Sequence, residues 1–222
     1  AAIDAGHGEL PRPRQLAEAL QHTRQAIASA GLPLEVLGGA EIAIDQLSLL
    51  SDQELLVLTL GQSGAYLLVE TPYSAWPASL EDHLGRLAKL GVRAILAHPE
   101  RSAGVQEPGG LKKLESAVAR GVYAQVTAGS LAGRFGRTAQ ATARSLIERD
   151  LVHLIASDAH NVDRRPPRMS EAVAAIEDPA LAHWLTEAAP DAILRGQRLP
   201  PRPISEPSRG RSGIIGRLRR AR

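Results

Sequence analysis

Short apolar runs alternate with amphipathic segments along most of this chain. The runs are continuous, as in strands that are buried on both faces of a sheet. The amphipathic segments carry apolar residues at helical spacing, such as Leu80, Leu84 and Leu87, and several end at a glycine. The predicted strands lie in 34–42, 65–72, 92–100, 122–130 and 151–160, and the predicted helices are 14–30, 80–90, 111–120, 137–149 and 169–188. Within 34–42, a short strand is predicted to run into a Gly38-Gly39 turn and then Glu41. This repeated strand–helix order predicts an α/β fold with parallel strands, either a β/α barrel or a doubly wound sheet.

The composition narrows the class of protein. The 222 residues, 44% of them apolar, are enough for one domain with a sizeable core. The chain has no cysteine, which excludes thiol catalysis, disulfides and Cys-ligated zinc and favours a cytoplasmic location. No apolar run approaches 18 residues, so we predict no transmembrane helix.

Charge divides the chain into two parts. The whole chain has a net charge of +2, but residues 198–222 hold eight Arg and one Glu, a net of +7, which leaves −5 for residues 1–197. We predict a folded domain over 1–197 and a disordered basic tail over 198–222. The tail is either simply solvated or makes a weak contact with anionic lipid or an acidic partner. The acidic body argues against nucleic acid as a partner.

Four of the predicted strands run into residues that could bind a metal. The strands lead to Glu41, to Glu70, to His98, and to Asp158 with His160. In α/β folds the carboxyl ends of parallel strands form one functional edge, so we expect these five side chains to converge there. Unpaired carboxylates are costly to bury, and a shared cation removes that cost. Carboxylate and imidazole ligands together suit Mn²⁺, Fe²⁺ or Zn²⁺, and this many anionic ligands suggests more than one ion.

Each of these residues also has an ordinary structural interpretation. Glu41 and Glu70 could be surface or capping residues, and His98, which precedes a proline, could be a hydrogen-bonded turn residue. The pair Asp158 and His160 is the more specific signal, because alternate residues of an extended chain face the same side.

Two arginines near the candidate ligands could bind phosphate. Arg101 lies three residues after His98, and Arg165 lies seven after Asp158. A guanidinium group can bind two phosphate oxygens at once. A solvated surface arginine is the alternative, and the nearby Arg164 and Arg168 leave the choice of Arg165 open from spacing alone.

Five segments of the sequence are GAEI, AYLLVETP, ILAHPER, QVTAGSLAGRFG and HLIASDAHNVDRRPPRM. Together they resemble the polymerase-and-histidinol-phosphatase (PHP) superfamily, in particular its manganese-dependent tyrosine-protein phosphatases of capsular and exopolysaccharide biosynthesis. The resemblance implies a distorted (β/α)₇ barrel with a metal cluster at its rim. It implies metal ligands at the five residues named above and phosphate binding by Arg101 and Arg165. It also implies hydrolysis of phosphotyrosine in a protein, with the tyrosine kinase that controls polysaccharide export as the expected substrate.

One motif of that family is missing from this sequence. The family opens with a strand that bears His-x-His, and no such motif occurs in the 222 residues. We therefore expect a barrel that lacks its first strand, with His7 as a weak candidate for a further family histidine. Two other functions remain open on this basis. The chain could hydrolyse a small phosphomonoester, or it could be a catalytically inactive remnant that only binds its partner.

Overall fold

The computed structural model describes residues 12–204 and shows one parallel sheet of five strands. The strands lie side by side in chain order, and every neighbouring pair is parallel. The strands are β1 (Glu41–Ala43), β2 (Tyr66–Glu70), β3 (Arg93–Ala97), β4 (Tyr123–Thr127) and β5 (Leu154–Ala156). The predicted α/β class with parallel strands is thus confirmed. The strand order never reverses within these residues, whereas a doubly wound sheet requires a reversal.

Helices connect the strands. They are α1 (Pro13–Ser29), α2 (Asp52–Val57), α3 (Leu80–Lys89), α4 (Ala103–Gln106), α5 (Gly110–Ala119), α6 (Ala128–Leu131), α7 (Gly136–Glu148), α8 (Ser170–Ala174), α9 (Pro179–His183) and α10 (Ala189–Leu194). A π-helical turn at Trp184–Ala188 joins the last two. The five predicted helical regions are all present, whereas α2, α4, α6 and α10 were missed, and residues 128–130 of α6 were wrongly predicted as strand. The signal for α2 was a capping box, in which Ser51 and Glu54 bond each other's backbone N–H groups.

Apolar side chains pack on both faces of the sheet, as the continuous runs predicted. Successive residues of a strand point to opposite faces. Leu67 and Val69 of β2 therefore join the larger core cluster, whereas Tyr66 and Leu68 join a smaller one on the other face. The face with the smaller cluster is the one on which the candidate ligands lie.

The first strand lies later in the sequence than predicted, and Glu41 begins it instead of following it. Residues 34–40 do not form the short strand that was predicted before the Gly38-Gly39 turn. Their backbone bonds to the turn that precedes β2: the Gly61 N–H donates to the Gly38 carbonyl at 2.7 Å, and the Ala40 N–H donates to the Leu58 carbonyl at 3.0 Å. These bonds occupy groups that a strand would have offered to its neighbour.

Residues just past the predicted domain boundary also pack against the body. The indole N–H of Trp184 donates to the Pro200 carbonyl at 3.0 Å, and the Arg202 guanidinium lies 5.3 Å from the centre of the Trp184 ring. His7 lies outside the described residues, and so does the part of the predicted tail from 205 to 222. Among the described helices, none is long and apolar enough to cross a membrane.

Candidate metal and phosphate site

Strand alternation and register bring two carboxylates onto one face of the sheet. In β1, Ile42 packs in the larger core cluster, so Glu41 points to the opposite face. In β2, Glu70 shares that opposite face with Leu68. The register pairs Glu41 with Leu68, so Glu70 lies two positions further along the neighbouring strand.

His98 completes a compact group with these two carboxylates. It directly follows β3, and its left-handed backbone (φ 32°, ψ 52°) turns the chain into Pro99. The His98 Nε2 atom lies 2.9 Å from Glu41 Oε1 and 3.5 Å from Glu70 Oε1. One ligand atom from each of Glu41, Glu70 and His98 falls within 4.8 Å of the others. These three predicted ligands are therefore close enough to share a cation.

Burial and the nearby Glu41 carboxylate act in opposite directions on the pKa of His98. Its side chain is only 4% exposed, and burial by itself disfavours the charged imidazolium. The hydrogen bond and negative charge of Glu41 outweigh burial and raise the pKa of His98 above its usual value. The site thus already favours positive charge at the position that a metal ion would take.

Asp158 lies beside this group and pairs with both predicted arginines. Arg101 Nη1 donates to Asp158 Oδ2 at 2.9 Å, and Arg165 Nη2 donates to the same oxygen. The Arg101 backbone N–H donates to the His98 carbonyl at 3.0 Å, so the Arg101–Asp158 pair lies close to the group around His98. Both guanidinium groups are thus held where one small anion could contact them.

His160 lies next to Asp158 but at the surface. Its Nδ1 is 3.6 Å from Asp158 Oδ1, and its backbone N–H donates to the Arg165 carbonyl at 2.9 Å. The prediction that an extended strand places Asp158 and His160 on the same side was wrong, because β5 ends at Ala156 and Asp158 has a left-handed backbone (φ 52°). A turn, and not an extended strand, brings the two side chains together.

Three residues that sequence reasoning did not select support the site. Glu100 is fully buried, and its Oε1 accepts hydrogen bonds from the Thr127 N–H at 3.0 Å and the Ser130 hydroxyl at 2.6 Å. Burial raises the pKa of Glu100. Tyr73 and Phe135 flank the Arg101 guanidinium, whose Cζ lies 5.0 Å and 4.4 Å from their ring centres. Glu100 and Phe135 occur in the quoted motifs, and Tyr73 directly follows the motif AYLLVETP, which was the available signal.

Comparison with known proteins gives consistent matches. Residues 6–187 match the model of a family described as capsular polysaccharide synthesis, CpsB/CapC. The tyrosine-protein phosphatase YwqE of Bacillus subtilis (strain 168) is 35% identical over 200 residues, covering 86% of this chain and 76% of YwqE. The tyrosine-protein phosphatase CpsB of Streptococcus pneumoniae is 30% identical over 174 residues, covering 75% of this chain and 69% of CpsB.

A solved structure agrees with the sequence matches. It comes from crystallographic work on YwqE from Bacillus subtilis and CpsB from Streptococcus pneumoniae, described as unique metal-dependent tyrosine phosphatases. It superposes with a TM-score of 0.74 at 32% identity, covering 90% of this chain and 81% of the other. The fold, the family model and the relatives agree, and the chain belongs to the CpsB/CapC family of capsular polysaccharide synthesis.

Proposed function

We propose that this chain is a metal-dependent protein-tyrosine phosphatase, a phosphoric monoester hydrolase that acts on phosphotyrosine in a protein. The observation that carries the proposal is the convergence of Glu41, Glu70 and His98 on one point. Arg101 and Arg165 meet on Asp158 next to that point. The names of the relatives YwqE and CpsB support phosphotyrosine as the substrate.

The donor set fits a divalent cation. Two carboxylates this close repel each other unless a positive charge lies between them, and His98 alone is a weak substitute. We assign Mn²⁺, with Fe²⁺ or Zn²⁺ as alternatives, and more than one ion, with Asp158 and His160 as further ligands. Such ions supply Lewis-acid chemistry, which activates water for attack on phosphorus.

The arginines would bind the substrate phosphate. Each presents a planar fork of N–H groups that matches phosphate oxygens, and Asp158 now occupies those donors. A phosphate bound there by Arg101 and Arg165 would have its charge balanced as the bond to the leaving oxygen lengthens. Phenol has a pKa of about 10, so its anion is a better leaving group than an aliphatic alkoxide.

The proposal also includes the barrel architecture and the identity of the substrate protein. The five parallel strands in chain order support the PHP-type distorted (β/α)₇ barrel that the resemblance implied. The family description supports a tyrosine kinase of polysaccharide export as the substrate. The boundary at 197/198, the contact of residues 198–222 with lipid or an acidic partner and the cytoplasmic location stay predictions.

The test is hydrolysis of a phosphotyrosine peptide with and without Mn²⁺. We expect metal-dependent turnover by the wild type, loss of turnover in His98→Ala, and retention in His183→Ala, an exposed histidine on α9. Faster turnover of small phosphomonoesters than of the peptide would favour the alternative substrate class. Absence of turnover on both, with partner binding that survives chelation, would favour the inactive remnant.

A further inference from the structure

A groove lies beside the side chain of Arg101. It has a volume of about 350 Å³ and is lined by Tyr73, Arg101, Gln106, Phe135, Thr138 and Ala139. A cavity of about 150 Å³ is enough to hold benzene, so the groove has room for a phenyl ring and part of a peptide. A phosphate on Arg101 would therefore have a space beside it for the group that it esterifies.

Two aromatic rings border this groove. The chain has one Phe, two Trp and three Tyr in all, and the single Phe and one of the tyrosines lie here. Tyr73 is 36% exposed, and its ring stacks on His98 with a centroid distance of 5.6 Å. In a chain so poor in aromatic residues, the pairing of two rings at a phosphate-binding arginine points to an apolar, planar part of the ligand.

Phe135 is held in place by close backbone packing. A Cβ added at Gly129 would lie 2.9 Å from Phe135 Cε2, so the ring packs directly over the start of α6. Only glycine leaves room for the ring in that position. The ring is thus preformed, and a ligand would not have to order it.

Tyr73 is anchored in a comparable way. The Ala103 N–H donates to the Tyr73 carbonyl at 2.7 Å, and the Ser102 hydroxyl donates to the Pro72 carbonyl at 3.1 Å. A Cβ at Gly104 would lie 2.3 Å from the backbone nitrogen of Trp76, so the loop that bears Tyr73 is packed closely against α4. The backbone that carries the Tyr73 ring is therefore held in place next to Arg101.

We propose that Tyr73 and Phe135 receive the phenyl ring of the substrate and so select aromatic over aliphatic phosphomonoesters. This rests on the proposed phosphatase function. A ring bound in the groove gains stacking contacts that a seryl or threonyl ester cannot make. The same two rings hold the Arg101 guanidinium, which contacts the phosphate of either ester. Loss of a ring should therefore weaken both substrates slightly and phosphotyrosine much more.

The experiment compares the kcat/KM of two peptides that differ only in phosphotyrosine or phosphoserine, with Mn²⁺ present. We expect the wild type to prefer phosphotyrosine, and we expect Phe135→Leu and Tyr73→Leu to lower that preference about tenfold. Tyr73→Phe keeps the ring and should keep the preference. Tyr123→Leu removes a tyrosine ring that stacks on His153 instead, and serves as the matched control. Equal losses on both peptides would overturn the inference, because the rings would then only position Arg101.

A binding measurement separates this inference from the proposed function. Calorimetry with phenylphosphonate and methylphosphonate needs no turnover. We expect the wild type to bind phenylphosphonate about tenfold more tightly, and we expect this advantage to disappear in Phe135→Leu. A wild type that hydrolyses neither peptide but shows this difference would refute the phosphatase proposal and leave the groove assignment standing. Equal binding of the two phosphonates, or binding of neither, would overturn the groove assignment.

Discussion

The Ser130 hydroxyl donates a 2.6 Å hydrogen bond to Glu100 Oε1, and both side chains are fully buried. This bond ties the turn after β3 to the start of the helix after β4. Glu100 lies between His98 and Arg101 in the sequence, so the bond supports the segment that carries one proposed metal ligand and one proposed phosphate ligand.

Removal of the Glu100 carboxyl should destabilise the fold more than its replacement by an amide. Glu100→Ala leaves the Thr127 N–H and the Ser130 hydroxyl unpaired in the core, which costs about 2–4 kcal/mol. Glu100→Gln keeps an accepting Oε1, and because burial raises the pKa of Glu100 and so favours its neutral form, the cost should stay below about 1 kcal/mol. Urea unfolding measures both, and equal losses would contradict this account.

Added Mn²⁺ or Zn²⁺ should stabilise the fold, by an amount that grows with the logarithm of the ratio of its concentration to its Kd. A ligand at 100 times its Kd adds about 2.7 kcal/mol to the free energy of unfolding. Glu70→Gln should weaken metal affinity at least about tenfold, because it removes one charge from the three-residue group. Glu107→Gln changes an exposed glutamate and should leave the shift in Tm unaltered. A metal-induced shift in Tm that Glu70→Gln does not reduce would place the ion elsewhere.

Substitutions can test whether Arg101 and Arg165, and not the neighbouring Arg164, bind the phosphate. Arg101→Ala and Arg165→Ala should each lower kcat/KM about 10²-fold or more, because each removes donors aimed at the phosphate. Arg101→Lys should not restore activity, since lysine lacks the planar fork that lies between two rings. Arg164→Ala, at an exposed position, should change kcat/KM less than about twofold. A large loss in Arg164→Ala would move the second phosphate ligand to that residue.

Two glycine-to-alanine changes should act in opposite directions. Gly104→Ala places a Cβ 2.3 Å from the Trp76 nitrogen and should destabilise the fold by about 1–3 kcal/mol. Gly85→Ala lies in α3 with no atom within 4 Å of the new Cβ, and should stabilise the fold by about 0.5–1 kcal/mol. Thermal unfolding of the two variants tests the pair. Stabilisation by both changes would mean that the loop bearing Tyr73 is not closely packed on α4.

His153 should make the fold less stable in mild acid. Burial, aided by the charge of Arg202, lowers the pKa of His153 from 6.5 to about 4. Between these values the unfolded chain binds a proton that the folded chain does not, so the free energy of unfolding falls as the pH drops from about 6.5 to 4, by up to about 3 kcal/mol.

The contribution of His153 can be isolated by comparing how steeply the free energy of unfolding depends on pH in two variants. His153→Gln should flatten the dependence of stability on pH in that window, whereas His22→Gln, at an exposed position of α1, should leave it unchanged. Urea unfolding at a series of pH values from 4 to 7 provides the slopes. An unchanged slope in His153→Gln would assign the acid sensitivity to the carboxylates.

The sequence predicted elements well where packing is periodic. Each helix with regularly spaced leucines appears, and each apolar run contains a strand, because burial of those side chains decides local structure. The predicted short strand before the Gly38-Gly39 turn could not be excluded from the sequence. The backbone of residues 38–40 bonds to a turn some twenty residues away, and no local pattern reveals that contact.

The site was predictable by residue type but not by geometry. Glu41 was expected past the end of a strand but begins one, and its long side chain still reaches His98. Asp158 and His160 were expected on one side of an extended strand but meet across a left-handed turn. The buried Glu100 was missed because a single glutamate carries no periodic signal, and only its bonds to Thr127 and Ser130 show its role.

The strict chain order of the sheet also has a kinetic consequence. Glu41 and His98 are 57 residues apart in sequence, and so are Arg101 and Asp158, so no single helix–strand unit contains either pair. Contacts of this range form late in folding, after several loops have closed. Until β1 through β5 are assembled, the ligands are separate charged groups with little metal affinity. The binding free energy of a cation is therefore available mainly to the completed sheet, where it slows unfolding.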